Sequence, residues 1–186
     1  ANDAFKPVTR YFDRITRPEQ IISSLQQAVQ VMLDPADCGP ACISLSQDVQ
    51  GEVYDYPEDF FKERIHTIRR SRPDDFQIKE AADLIKKSKK PIIISGGGVF
   101  YSDATEELSA FAQKHNIPVT QTVMGYSTIK KDHSHYLGVI GGLGGKAANN
   151  LSKETDTAIA IGTKLADFTT GSWANFENPD FKLVSI

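Results

Sequence analysis

The sequence has only two cysteines in 186 residues, Cys38 and Cys42. That is too few for a disulfide framework or a four-ligand zinc site, and no C-x-x-C spacing exists. Small buried apolar side chains are their expected role. An excess of one charge is also missing: 21 Lys and Arg stand against 24 Asp and Glu, for a net charge of -3. Such a balance offers no broad footprint for nucleic acid or an anionic membrane, so neither partner is expected. No apolar run approaches the length that spans a bilayer, and no signal-peptide pattern opens the chain. The expected compartment is the cytoplasm. No Ser-His-Asp arrangement or nucleophile elbow can be read, so no catalytic residue is assigned. His133 and His135 form an H-x-H pair with no accompanying Cys or carboxylate constellation, which reads as a solvated loop; no metal site is assigned. The chain opens on Ala1 without an initiator Met and stops on Ile186 inside the strand-like "FKLVSI". The expectation is an internal piece of a longer protein, large enough for one domain and part of another.

What is present is an alternation of helix and strand. Thr16 and Glu19 have capping-box spacing, and Ile21, Ile22, Leu25, Ala28, Val29 and Met32 follow at helical period. Asp34, Pro35 and Gly39 end that helix, and "ACISL" (41–45) reads as a short buried strand closed by Asp48, which can cap the next turn. The first fifteen residues show no clear element. Residues from 46 to 75 lack periodicity and read as a linker anchored by Tyr54, Tyr56, Phe60 and Phe61; its basic "KERIHTIRRSR" reads as solvated. Ile78, Ala81, Ala82 and Ile85 mark another helix. Strands are expected at 91–95, 117–122, 157–161 and 182–186, with a helix capped by Asp103 and Glu106 carrying Leu108, Phe111 and Ala112 on one face. Strands separated by helices argue an α/β fold, a parallel sheet with helices on both faces, preceded by a partial α/β domain.

The stretch "PIIISGGGVFYS" (91–102) runs a β-branched strand into three glycines, as a dinucleotide-binding turn does. The full fingerprint wants G-x-G-x-x-G and an acidic residue about twenty positions on. Gly96 and Gly98 fit, but Tyr101 holds the third glycine position, and the next strand ends in Gln121 and Thr122. A nicotinamide site is therefore disfavoured, and Gly96, Gly97 and Gly98 read first as a tight strand-to-helix turn. The second cluster, Gly141, Gly142, Gly144 and Gly145 before Lys146, reads equally as an anion cradle at a helix N-terminus or as a packed turn. If both clusters follow strand ends on one edge, they face a shared crevice, where open α/β sheets bind ligands. These seven glycines are the candidate nucleotide or anion residues.

Several motifs together resemble the thiamine-diphosphate-dependent enzymes. "CGPACISLSQDVQGEVYDYPEDFF" is similar to the end of their pyrimidine-binding domain, with Ser46 where these enzymes usually place Pro before Q-D-V. "AADLIKKSKKPIIISGGGVFYSDATEEL", "LGVIGGLGGKAANN" and "IAIGTKLADFTTGSW" resemble their central domain, which is Rossmann-like. The linker and "FTTGSWANF" look closest to the cyclic-diketone hydrolases of myo-inositol breakdown. The resemblance implies residues 1–50 as the C-terminal part of a pyrimidine-binding domain, 51–74 as an interdomain linker, and 75–186 as a central domain truncated at its C-terminal end. It implies a parent that opens a cyclic 1,2-diketone by C–C hydrolysis. A homo-oligomer is expected on a separate ground, as cover for apolar residues such as Ile22, Leu25 and Val29, which would otherwise leave that region mobile. Thiamine diphosphate and magnesium would be bound outside this stretch, by an upstream glutamate and a downstream Gly-Asp-Gly motif that this sequence lacks. Some members hold FAD or ADP in the central domain; here no cofactor is expected to bind tightly, and the stretch alone is expected to be inactive. Two alternatives stand beside this reading: an acetolactate-synthase-like carboligase with FAD in the central domain, and a non-catalytic nucleotide-binding module.

Overall fold

The computed structural model describes residues 2–68 and 70–186. The chain divides into two compact units, Ala1–Ser71 and Arg72–Ile186.

In the first unit, β1 (Tyr11–Ile15), α1 (Ile21–Met32) and β2 (Ala41–Leu45) make one βαβ turn of structure. The two strands pair in parallel from Tyr11↔Ala41 to Ile15↔Leu45. β1 was not expected, because Asp13 and Arg14 interrupt any apolar pattern. Asp13 is accommodated: its carboxylate accepts from Ser24 Oγ on α1 and from the Arg14 N–H at 2.8 Å. The entry to α1 also differs from the spacing rule. Gln20, not Glu19, reaches back: its Oε1 accepts from Thr16 N at 2.7 Å and Arg17 N at 3.0 Å. Asp34 then stops the chain beyond α1, accepting from the amides of Asp37 and Ala36, which hold its carboxyl below the usual range. Asp48 does cap the following turn, accepting from Val49 N at 3.0 Å. The cysteines depart from expectation: Cys38 is exposed and Cys42 only half-buried. In the linker, Tyr56 stacks on Phe60 at 5.6 Å, meets Tyr54 at 4.9 Å edge-on, and donates its hydroxyl hydrogen to Pro18 O at 3.3 Å. The basic stretch that follows is exposed, except that Arg69 lies outside the described residues.

The second unit is a five-stranded parallel sheet in the order β5-β4-β3-β6-β7, where β3 is Pro91–Ser95, β4 Val119–Gln121, β5 Tyr136–Val139, β6 Thr157–Ile161 and β7 Lys182–Ser185. Strand side chains alternate between faces. Ile93, Val119, Ile159 and Val184 point to one face, packed by Ala81, Leu84 and Ile85 of α2 (Asp75–Lys87) and by Leu108, Phe111 and Ala112 of α4 (Thr105–His115). Ile92, Ile94, Ile140 and Ala158 point to the other, covered by Ala148 and Leu151 of α5 (Lys146–Glu154) and by Phe176 and Phe181. The β-branched centre of β3 is fully buried, which on its own contributes several kcal/mol, at about 1.5–3 kcal/mol per side chain. Helices on both faces agree with the expected α/β architecture. Asp103 does not cap: it takes a left-handed conformation (φ 54°) between α3 (Gly97–Tyr101) and α4. β5 was not expected either; its four residues include Gly138 at φ 97°. Among the described residues, no helix is long and apolar enough to cross a membrane.

Candidate functional site

Because every strand of the larger sheet runs the same way, the loops after β3, β4, β5 and β6 all emerge at its carboxyl edge. From β3 the chain steps outward through β4 to β5, then returns to the other side as β6. The switch point therefore lies between β3 and β6, the place where open α/β sheets form ligand crevices. A crevice of about 480 Å³ is present there. Its walls include Gly97, Gly98, Tyr101, Met124, Leu143, Thr163 and Phe168, and Lys164 is the one charged residue among its described lining.

Gly97 and Gly98 of the first glycine cluster line this crevice, and the cluster packs against protein. Gly96 N–H donates to Ile161 O at 2.8 Å and Gly98 N–H to Gly162 O at 2.9 Å. A Cβ on Gly98 would lie 2.5 Å from Gly162 Cα, so the loops after β3 and β6 meet backbone to backbone. A Cβ on Gly97 would come within 3.0 Å of Met124 O. The glycines here permit close approach of a neighbouring strand loop.

The second cluster turns its amides inward as well. Gly141 N–H donates to Asn149 Oδ1 at 2.9 Å and Gly142 N–H to Phe168 O at 2.7 Å. Gly144 N–H reaches Gly141 O at 2.8 Å, and Gly145 N–H reaches Val139 O at 3.0 Å. Asn149 fixes this loop from α5, since its Nδ2 also donates to Gly141 O at 3.0 Å and its Oδ1 accepts from Asn175 at 3.3 Å. Gly141 has φ 96° with carbonyls of Phe168 and Thr169 crowding the missing Cβ, so only glycine fits. From this loop it is Ile140 and Leu143, not the four glycines, that line the crevice. The two clusters thus share one edge, with their described amide bonds directed at protein carbonyls and at Asn149.

Sequence reasoning did not find the wall formed by the loop after β4. Ser95 Oγ and Thr128 Oγ1 hydrogen-bond at 2.7 Å, Thr128 donates to Gly125 O at 2.7 Å, and Gln121 Nε2 donates to Ile129 O at 3.0 Å. Ser95, Gln121 and Thr128 are all buried. This network pins the loop so that Val123, Met124 and Tyr126 are held outward, each more than half exposed. Buried hydroxyls at a strand end were the available signal. Gln121 occupies the position where a ribose-binding carboxylate would stand, and its amide serves the loop instead. The histidines lie elsewhere: His135 Nε2 bonds Asn116 Oδ1 at 2.7 Å, and His135 N–H donates to His133 Nδ1 at 3.2 Å. Among the described residues no group of three or more His, Cys, Asp or Glu could hold a metal ion.

Against this geometry the comparisons are specific. The family described as the central domain of thiamine pyrophosphate enzymes matches residues 78–186, which takes in the whole five-stranded sheet. A protein named 3D-(3,5/4)-trihydroxycyclohexane-1,2-dione hydrolase from Clostridium perfringens (strain 13) is 51% identical over 185 residues. Proteins of the same name from Bacillus subtilis (strain 168) and Halalkalibacterium halodurans are each 49% identical over 185 residues. In all three the match covers 100% of this chain and 29% of the relative. The chain therefore spans less than a third of the length of these curated relatives. A parallel sheet with its switch point at β3 and β6, matched across more than half of the chain, assigns the protein to its family: the chain belongs to the thiamine pyrophosphate enzymes, through their central domain.

Proposed function

We propose that this chain serves in a thiamine-diphosphate-dependent hydrolase that opens a cyclic 1,2-diketone in myo-inositol breakdown, as part of a larger polypeptide. The observation that carries the reading is 51% identity along the whole chain to a protein named for hydrolysis of trihydroxycyclohexane-1,2-dione. When bound, thiamine diphosphate supplies an electron sink for cleavage next to a carbonyl. The residues present here do not fit that cofactor or its magnesium. Among the described residues the crevice lining holds no carboxylate, and the N–H groups of Gly96, Gly98, Gly141, Gly142, Gly144 and Gly145 are turned toward protein acceptors. No step of the reaction is therefore assigned to this chain.

Its contribution is architectural. Residues 1–50 would close a pyrimidine-binding domain, 51–74 would link it, and 75–186 would present a stiff, mostly apolar wall at the carboxyl edge of the sheet. In this reading Gly96, Gly97, Gly98, Gly141, Gly142, Gly144 and Gly145 keep the strand-to-helix turns of a dinucleotide fold without holding a nucleotide. The proposal includes a cytoplasmic homo-oligomer. It is supported by the exposure of Leu25, Met32 and Leu45 in the first unit, although Ile22 and Val29 are half-buried there. The relatives reported above favour the hydrolase over the FAD carboligase and over a non-catalytic module.

A segment exchange tests the assignment. The matching 185-residue segment of the Bacillus subtilis relative is replaced by this chain, and diketone ring opening is followed with thiamine diphosphate and magnesium. The chimera is expected to cleave the diketone. A chimera that folds and binds its cofactor but leaves the ring closed contradicts the proposal.

A further inference from the structure

The amino edge of the larger sheet is closed around one carboxylate. Asp156 sits between α5 and β6 and accepts from Ser88 Oγ, from Lys89 N at 2.7 Å and from Lys90 N at 3.2 Å. All three donors belong to the turn that ends α2 and begins β3. The same turn is tied again by Lys90 O, which accepts from Asp156 N at 3.3 Å and from Thr155 Oγ1 at 2.5 Å. Burial pushes the Asp156 carboxyl up, but the donors Ser88, Lys89, Lys90 and Thr157 outweigh it and hold the group below its ordinary range. The charged groups around it are Lys87, Lys89 and Lys90 from the α2–β3 turn, Glu154 from α5, and Asp180 and Lys182 from the segment entering β7.

The helix held by this turn is buried less deeply than its neighbour α4. α4 buries Leu108 and Ala112 in the core, whereas α2 has no buried residue. Ala81, Leu84 and Ile85 of α2 pack on the sheet only partly covered, and in its first turns Phe76 is 69% exposed and Ile78 49%. Beside it runs a groove of about 870 Å³, walled by Ile78, Ala81 and Ile85 on the helix and by Phe111, Ile159 and Val184 opposite. Elements with few buried apolar contacts open at lower free energy than the core they lean on.

We propose that α2 is a flap latched at its C-terminal end, opening from that end independently of the sheet and widening this apolar groove, with Asp156 as the latch that sets how often it opens. The sign of its pH dependence follows from a carboxyl whose folded-state value is depressed. The latch is at full strength above the ordinary carboxylate range and weakens as pH falls through that lowered value.

Native-state amide exchange on the whole 186-residue chain tests this at neutral pH, with wild type, Asp156→Asn and Ser88→Ala compared. In wild type the amides of α2 are expected to exchange before those of β3 and β6. Removing a charged acceptor weakens such hydrogen bonds enough to speed α2 exchange about tenfold or more in Asp156→Asn. The sheet amides should change little. Ser88→Ala keeps the carboxylate and removes one donor, so it should give a smaller acceleration confined to α2, and it decides the matter if Asp156→Asn fails to fold. Exchange of α2 in step with β3 and β6 in wild type would overturn the proposal. So would a uniform acceleration of all amides in the variant that folds.

Discussion

The two units use the same βαβ grammar with different amounts of burial. In Arg72–Ile186 the strands β3 and β6 place Ile92, Ile93, Ile94, Ala158, Ile159 and Ala160 at 1% exposure or less, with helices on both faces. In Ala1–Ser71, β1 and β2 stand as a two-stranded parallel pair against one helix, and among the described residues the buried apolar side chains are Ile15, Pro18, Ala28 and Val49. A two-stranded sheet rarely supports itself in water. The difference locates the independent stability of this chain in the second unit.

Truncation in the two units should therefore be felt very differently. Ile93→Ala in the centre of β3 is expected to destabilise by about 2–5 kcal/mol, while Leu25→Ala on α1 costs less than about 1 kcal/mol. Denaturant titration with one probe in each unit reads the two costs separately; equal costs would erase the contrast. Within the second unit, Gly98→Ala should cost about 1–3 kcal/mol, because the Gly162 backbone has to move. Asn149→Ala leaves the Gly141 N–H without its partner and takes one of two donors from the Gly141 carbonyl, and should cost about 1–3 kcal/mol, reported by faster exchange of the Gly141 amide. The smallest effect carries the opposite sign. Gly145 has φ -77° with no atom within 4 Å of where a Cβ would stand, so Gly145→Ala should be neutral or stabilising by up to about 1 kcal/mol. A large loss at Gly145 would mean that its lack of a side chain serves a ligand and not the turn.

The same contrast governs what could be read from the residues. β3, β6 and β7 announced themselves as β-branched runs, and their helices followed from period and lysine-rich ends. β1 hid because Asp13 and Arg14 sit where an apolar residue was expected, and it is held by pairing with β2 and by the Ser24 hydroxyl. β5 hid because Gly138 interrupts a four-residue strand. At the crevice, Tyr101 at the third glycine position and Gln121 in place of a carboxylate were legible and pointed away from a nicotinamide. The direction of the glycine amides was not legible, because it depends on Gly162, Phe168 and Asn149, residues distant in sequence that only the fold brings within reach.

The glycine loops at the carboxyl edge are expected to serve packing and to leave the crevice without a nucleotide. Calorimetric titration of the 186-residue chain with FAD, ADP, NAD and thiamine diphosphate addresses this expectation directly. A helix-terminus contribution of about 1 kcal/mol falls far short of the roughly 8 kcal/mol that micromolar affinity requires, so no saturable binding is expected in that range. A dissociation constant at or below the micromolar range for any of the four, abolished by Gly98→Ala, would contradict it.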